Sequence, residues 1–396
     1  MRKAPALLVF LVVAAACAGG GGTTSTPAAT GPIKIGLLTS LTGNYAPLGT
    51  NDRLAAVQVV DALNSAGGIN GRKIDLDIVD DGSDPNQTVV QLTKLADDGV
   101  IALEGPPQST AELAIQSIVN QKKLPDVSVG AADQQVIPVT PYMWQTTPLS
   151  SQVATACLKF LQQQGKTKLA MLTDTKNAYA VAGHDEAKQR LGQYGLTLVD
   201  DESFETTQTN FGPQIARIKA AAPDFLLVWA TGAPPVVITK QWAAASTGIP
   251  LMMTAAEAST LYLQPSGAAA EGVYVEASLG VLGQSLPTSN RYRKLIDDFA
   301  GPFQLSNSYY PPQFAWDSML AMTFLIDAIK RKGATSEGIR AGLNSINLDT
   351  PEGHYVYTAQ KHYGLPDSSS LMSQVKNGQF VPVGSTAAQL AQAGQK

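Results

Sequence analysis

From Ile33 onward the chain alternates short apolar runs with amphipathic ones, and that cadence restricts the fold more than any other feature. IKIGLLTSL reads as a buried strand ending at Thr42-Gly43-Asn44, and Leu54, Val57, Val60 and Leu63 then recur at helical spacing as far as Gly67-Gly68. KIDLDIVDD is the next strand, Val89 to Leu95 a helix, VIAL a strand, Ala111 to Gln121 a helix and PDVSVG a strand. The cadence restarts after Pro148. A helix from Ser151 to Gln164, the strand KLAMLTD, a helix through Ala187 to Leu191 and the strand LTLVDD come first. A helix from Phe211 to Ala222, DFLLVWA, a helix from Pro235 to Thr247 and PLMMT follow. Such alternation demands parallel sheets covered by helices on both faces, since a parallel crossover needs a helix and buries the strand on both sides. Two similar α/β halves therefore stand in tandem, without a residue-level repeat.

The remainder is too poor in strands to form a third domain. GVYVEA near Val273, helical patterns over Ser289 to Phe303 and Pro312 to Lys332, a short helix capped at Thr335 or Ser336, HYVYT and QVKNGQFVPV are expected to complete the two halves. A chain that crosses repeatedly between two lobes makes a multi-strand hinge with a cleft. Open α/β sheets bind ligands beyond the carboxyl ends of their strands.

Before Ile33 the pattern differs. Arg2 and Lys3 precede an apolar run from Ala4 to Ala16, then Cys17 and AGGGGTTSTPAATGP. Thirteen residues fall short of the ~20 that span a bilayer, whereas charge, apolar centre and small-residue exit match an export signal. Residues 1–16 are read as signal peptide. Cys17 is read as a lipidated first residue on a flexible tether, 17–32, although Ala14 stands where such junctions usually carry Leu. The other reading is an ordinary signal cleaved near Ala16. Cys157 is then the one remaining cysteine, so no internal disulfide can form, and its apolar spacing with Val153, Phe160 and Leu161 marks a buried thiol. The formal charge is −4, or −6 without Arg2 and Lys3, with no basic cluster. That argues against a nucleic-acid partner.

Within the first half, Val100 to Gln116 is where chemistry concentrates. An apolar run ends at Glu104, Gly105-Pro106-Pro107 breaks it, and Ser109 opens a helix. Free N–H groups and the positive end of the helix dipole there suit a ligand carboxylate. Alternatively Ser109 and Glu112 form an S-x-x-E capping box that uses the same donors. Enzyme signatures are missing from the sequence: no G-x-S-x-G, H-E-x-x-H or G-x-G-x-x-G occurs, and Gly165-Lys166-Thr167 has Phe160 where a P-loop needs its first Gly. His184, His354 and His362 lie singly, without metal-ligand spacing.

LNSAGGINGRKIDLDIVDDGSDP, residues 63–85, together with IKIGLLTSLTGNYAPLG, resembles the leucine/isoleucine/valine-binding-protein family, type I periplasmic solute-binding proteins of ABC importers. The likeness runs from about Ile33 to Val383. It implies an α/β fold of two Rossmann-like lobes with parallel sheets, joined by a three-crossing hinge that closes on the ligand. The lobes are expected at 33–147 plus 277–350 and at 148–276 plus 351–385, with 386–396 as a tail. The resemblance further implies that a solute carboxylate is held at Gln108, Ser109 and Thr110 and on the loop Gly130-Ala131-Ala132. Ala132 replaces a Thr there and supplies no hydroxyl. Glu257 takes the place of the family's ammonium partner and Tyr179 that of its second-lobe Tyr, while Thr231 replaces an aromatic residue. Tyr45 and Trp144 are cleft or core residues. The implied protein captures a small solute, an amino acid of branched-chain type or a related carboxylate, for an ABC permease. It needs no cofactor or metal, is not an enzyme, works as a monomer, and is exported and anchored through Cys17. A sensor of the same fold, or a binder of amide, urea-like or aromatic carboxylate solutes, is the alternative.

Overall fold

The first half builds one sheet. In the computed structural model, which describes residues 31–395, the elements are β1 (Ile33–Thr39), α1 (Ala46–Ser65), β2 (Ile74–Asp80), α2 (Pro85–Asp97), β3 (Leu103–Glu104), α3 (Ser109–Lys122), β4 (Asp126–Ser128) and β5 (Met143–Gln145). The order is β2-β1-β3-β4-β5, parallel throughout. Strand β1 is apolar on both faces because both are covered: Ile35 and Leu37 belong to the core that includes Ala56 and Val60 of α1, and Leu38 packs with Leu95 of α2 and Ile115 of α3. The leader and Cys17 lie outside the described residues.

The second half runs α4 (Ser150–Gln163), β6 (Lys168–Asp174), α5 (Ala178–Arg190), β7 (Thr197–Phe204), α6 (Gly212–Ala221), β8 (Phe225–Trp229), α7 (Pro234–Ala244), β9 (Leu251–Met253), α8 (Thr260–Ser266) and β10 (Tyr274–Ala277). Then come α9 (Arg293–Asn307), α10 (Gln313–Lys332), α11 (Ser336–Leu343), β11 (Asn347–Thr350), β12 (Gly353–Val356), β13 (Leu371–Lys376), β14 (Gln379–Pro382) and α12 (Ala387–Gln392). The second sheet is ordered β14-β13-β10-β9-β8-β6-β7. Strands β10, β9, β8, β6 and β7 are parallel, as expected, and the remaining edge is antiparallel. Strand β13 pairs antiparallel with β10, and β14 with β13 through the two-residue turn Asn377-Gly378, both at positive φ.

Helix α10 ties the late segment back to the first lobe. Trp316, Leu320, Phe324 and Leu325 are fully buried along it, each stabilising the fold by about 2 kcal/mol through apolar burial. Ser318 Oγ donates to the Asp52 carbonyl of α1 at 2.8 Å. Three connections pass between the lobes, after β5, after β10 and between β12 and β13, and hydrogen bonds lash them together. The Tyr355 and Tyr357 hydroxyls donate to the carbonyls of Thr146 and Gln145, and the Glu352 carboxylate accepts from Ser278 Oγ at 2.8 Å and Gly280 N at 3.1 Å. HYVYT thus belongs to a separate two-stranded sheet with β11 at the hinge, rather than to either large sheet. The terminal segment read as a tail is docked: Thr386 caps α12, and Asn290 Nδ2 donates to the carbonyls of Leu390 and Ala393.

Candidate functional site

The conspicuous acidic motif after β2 is structural, and it shapes one rim of the cleft. Asp80 accepts from Leu41 N, Thr42 Oγ1 and Gly82 N, and Asp81 from Ser40 Oγ, Ser83 N and Thr88 Oγ1. Asp84 caps α2 through Asn86 N. The loop 40–45 is thereby fixed, and with it Tyr45. At the next strand end Gly105 has φ +85°, and a Cβ there would stand 2.4 Å from the Leu38 carbonyl, so the chain can turn into α3 only without a side chain.

Helix α3 starts at Ser109, and the capping-box alternative is not what forms. The N-cap is Gln108, with no side-chain cap. Ser109 Oγ turns instead to the loop after β4, accepting from Ala131 N at 2.9 Å and Ala132 N at 3.0 Å. Glu112 points inward, fully buried, and makes no hydrogen bond with an N–H or hydroxyl donor. Its neighbour is the equally buried Asp126, and burial pushes Glu112 up to about 8 and Asp126 well above the carboxylate range.

A cavity of about 30 Å³ lies between the carboxyl ends of the two sheets. The first lobe lines it with Pro107, Gln108, Ser109, Val129, Ala131, Thr147 and Pro148, and helix α10 with Gln313, Phe314 and Asp317. The second lobe adds Asn177, Tyr179, Thr231, Ala255 and Ala256. That volume suits one or two waters, so a larger ligand enters only when the lobes part. Their present contact is specific. Thr110 Oγ1 accepts from Ala178 N at 3.0 Å, Asn177 Nδ2 donates to Tyr45 OH at 3.3 Å and to Thr231 Oγ1, and Gln313 N donates to the Ala258 carbonyl at 3.2 Å.

Of the residues singled out in the sequence, Gln108, Ser109, Ala131, Tyr179 and Thr231 therefore line one cavity. Thr110 and Tyr45 sit at its rim as lobe-to-lobe contacts. Gly130 and Ala132 lie behind it: Gly130 N donates to Ser128 Oγ at 3.0 Å, and Ala132 N is held by Ser109. The three N–H groups of this loop thus have partners within the protein. Trp144 is core, stacked on His362 at 4.5 Å.

Glu257 borders a neighbouring pocket and is not among the residues that line this cavity. The single turn Ala255–Glu257 gives Ala255 and Ala256 to the cavity, while Ala256 and Glu257 line a second pocket of about 340 Å³ with Leu48, Val236, Leu261 and Phe314. Its carboxyl accepts from Thr254 Oγ1 at 3.3 Å, and burial pushes it well above the usual range.

Sequence reasoning missed Asp317, Gln313, Asn177 and Thr147. Asn177 had a signal, since it caps α5 by accepting from Ala180 N. So did Asp317, a lone acid in the apolar run QFAWDSMLAM. Among the described residues no group of His, Cys, Asp and Glu has metal-binding geometry, and no helix is long and apolar enough to cross a membrane.

Comparison with known proteins follows the same lines. The sequence profile of the family described as periplasmic binding protein matches residues 32–379. The Leucine-, isoleucine-, valine-, threonine-, and alanine-binding protein of Pseudomonas aeruginosa is 23% identical over 328 residues, 82% of this chain and 86% of that one. Among solved structures, the branched-chain amino acid transporter substrate binding protein LivJ of Streptococcus pneumoniae, in complex with isoleucine, superposes with a TM-score of 0.79 at 20% identity, covering 89% of this chain and 99% of that one. A solute binding protein of an ABC transporter from R. palustris, in complex with benzoate, gives 0.77 at 21% identity, covering 89% and 96%. At such identities the superpositions establish the fold.

Proposed function

The chain belongs to the periplasmic binding protein family, and from that premise we propose that it captures a small solute in the interlobe cavity and delivers it to the permease subunits of an ABC importer. The solute is an amino acid of branched-chain type or a related carboxylate, bound without chemical change. The observation that carries this reading is the cavity itself, set between the carboxyl ends of two α/β sheets and lined from both lobes. Ser109 gives it a directed donor. A hydroxyl has two lone pairs and one hydrogen; Ala131 N and Ala132 N occupy the lone pairs, so the O–H is left to donate. Beside it, the N–H groups of Ser109, Thr110 and Ala111 have no carbonyl within α3 to bond. Gln108, Tyr179 and Thr231 complete the polar lining, with Tyr45 and Thr110 closing the rim. The similar proteins named for branched-chain amino acids, and the one holding benzoate, support both solute classes.

The remaining assignments belong to the same proposal. The protein is exported, anchored through a lipidated Cys17 and its 17–32 tether at the periplasmic or cell surface, and acts as a monomer. Residues 33–147 with 277–350, and 148–276 with 351–385, move as the two lobes. A thermal-shift screen across aliphatic amino acids, amides and carboxylates tests the function, because a solute at 100 times its dissociation constant adds about 2.7 kcal/mol of stability. Chemical conversion of the stabilising solute would instead make the protein an enzyme.

A further inference from the structure

The cavity has one acid in its lining and, among the described residues, no Lys, Arg or His. That acid is Asp317, in the second turn of α10 and 2% exposed. Its carboxylate is held by Gln313 Nε2, at 3.0 Å to Oδ1 and 3.3 Å to Oδ2, while Gln313 Oε1 accepts from Ser278 N at the hinge. A carboxylate has about four acceptor sites, so one amide leaves most of its capacity unused. The titratable groups around it give no relief: Glu352, Glu276 and Asp52 are acids, and Tyr355 and Tyr357 are neutral phenols. The same cavity is lined by the Ser109 hydroxyl, whose lone pairs are already filled.

We propose that Asp317 sets the charge of the solute this cavity accepts: it receives an amino group while Ser109 and the start of α3 receive an acceptor oxygen, so simple carboxylates are rejected. This rests on the reading of the cavity as a solute site. A lone carboxylate would bring its charge into a space with no cation to compensate it. A solute with both groups leaves neither charge unpaired, and unpaired buried charge is the costly state. Burial holds the Asp317 carboxyl well above its usual range. Pairing with an ammonium brings it down again, so binding releases a proton.

The test compares L-leucine with 4-methylpentanoate, the same skeleton without the amine, and with benzoate, by isothermal titration at pH 7 in phosphate and in Tris. The expected results are binding of L-leucine, at least 100-fold weaker binding of both carboxylates, and a heat that differs between buffers as proton release requires. Asp317→Asn should weaken L-leucine by more than about 100-fold and narrow the gap to 4-methylpentanoate. The unliganded melting temperature of the variant checks its fold, and the wild-type comparison decides the matter even if the variant is unstable. Carboxylates binding as tightly as L-leucine would overturn the inference and leave solute binding intact. Failure of every probe, together with a screen that finds no stabilising solute, would overturn the solute-site reading and the inference with it.

Discussion

Ser109→Ala separates a structural staple from a ligand contact, because Ser109 is placed to be both. Removing Oγ strands two backbone donors at once, Ala131 N at 2.9 Å and Ala132 N at 3.0 Å, in a loop where Ala132 is fully buried. An orphaned buried donor costs about 1–3 kcal/mol. Allowing water to reach the half-buried Ala131, the two together should lower stability by about 2–4 kcal/mol. Were Ser109 an ordinary helix cap the loss would be about 1 kcal/mol, and were it only a ligand donor the free protein would be unaffected. Urea denaturation of wild type and variant without solute measures this. A second readout comes from titration with the best solute, where losing one hydrogen bond to a charged acceptor should cost a further 1.5–3 kcal/mol or so. A free variant within about 0.5 kcal/mol of wild type would refute the staple.

Three other perturbations report on different parts of the structure. Gly183→Ala should destabilise by about 3 kcal/mol in thermal or urea melts, since its Cβ would stand 2.1–2.5 Å from ring atoms of the fully buried Trp229; a neutral effect would mean the α5–Trp229 contact is wrong. Glu112, raised from 4.5 to about 8, binds a proton in the folded state that the unfolded chain gives up earlier. Its contribution is therefore full below pH 4.5 and lost as pH rises to about 8, so urea melts at pH 6 and pH 9 should show wild type losing on the order of 2 kcal/mol more than Glu112→Gln; equal losses would contradict the buried pair. Cys17→Ser should abolish membrane attachment or processing in cell fractionation, and normal attachment would exclude the lipid anchor.

The fold was legible because strands buried on both faces must be apolar runs, as in IKIGLLTSL and DFLLVWA, and helices between them carry a 3.6-residue stripe. Strand β5 escaped notice because Met143–Gln145 is three residues long and follows Pro141-Tyr142 with no alternation to mark it. The mixed edge of the second sheet was partly visible in Asn377-Gly378, but its pairing with β10 depends on a crossing more than ninety residues later in sequence. At the site, Ser109 was readable as the residue that ends a strand turn and opens a helix. Glu257 borders the neighbouring pocket together with Ala256, one residue beyond the Ala255-Ala256 pair that lines the cavity, an offset that no sequence pattern marks. Asp317 was hidden by its surroundings, since its burial arises only when hinge segments from three parts of the chain meet.

Capture between lobes is tested most directly by small-angle scattering with and without the solute that the screen selects. The bonds from Thr110 to Ala178, Tyr45 to Asn177 and Gln313 to Ala258 exist only when the lobes meet, and a cavity of about 30 Å³ admits a solute only when they part. We take the contacted lobes as the form that solute stabilises and the parted lobes as the free form, so the radius of gyration should fall on saturation. A profile unchanged at saturating solute would contradict it.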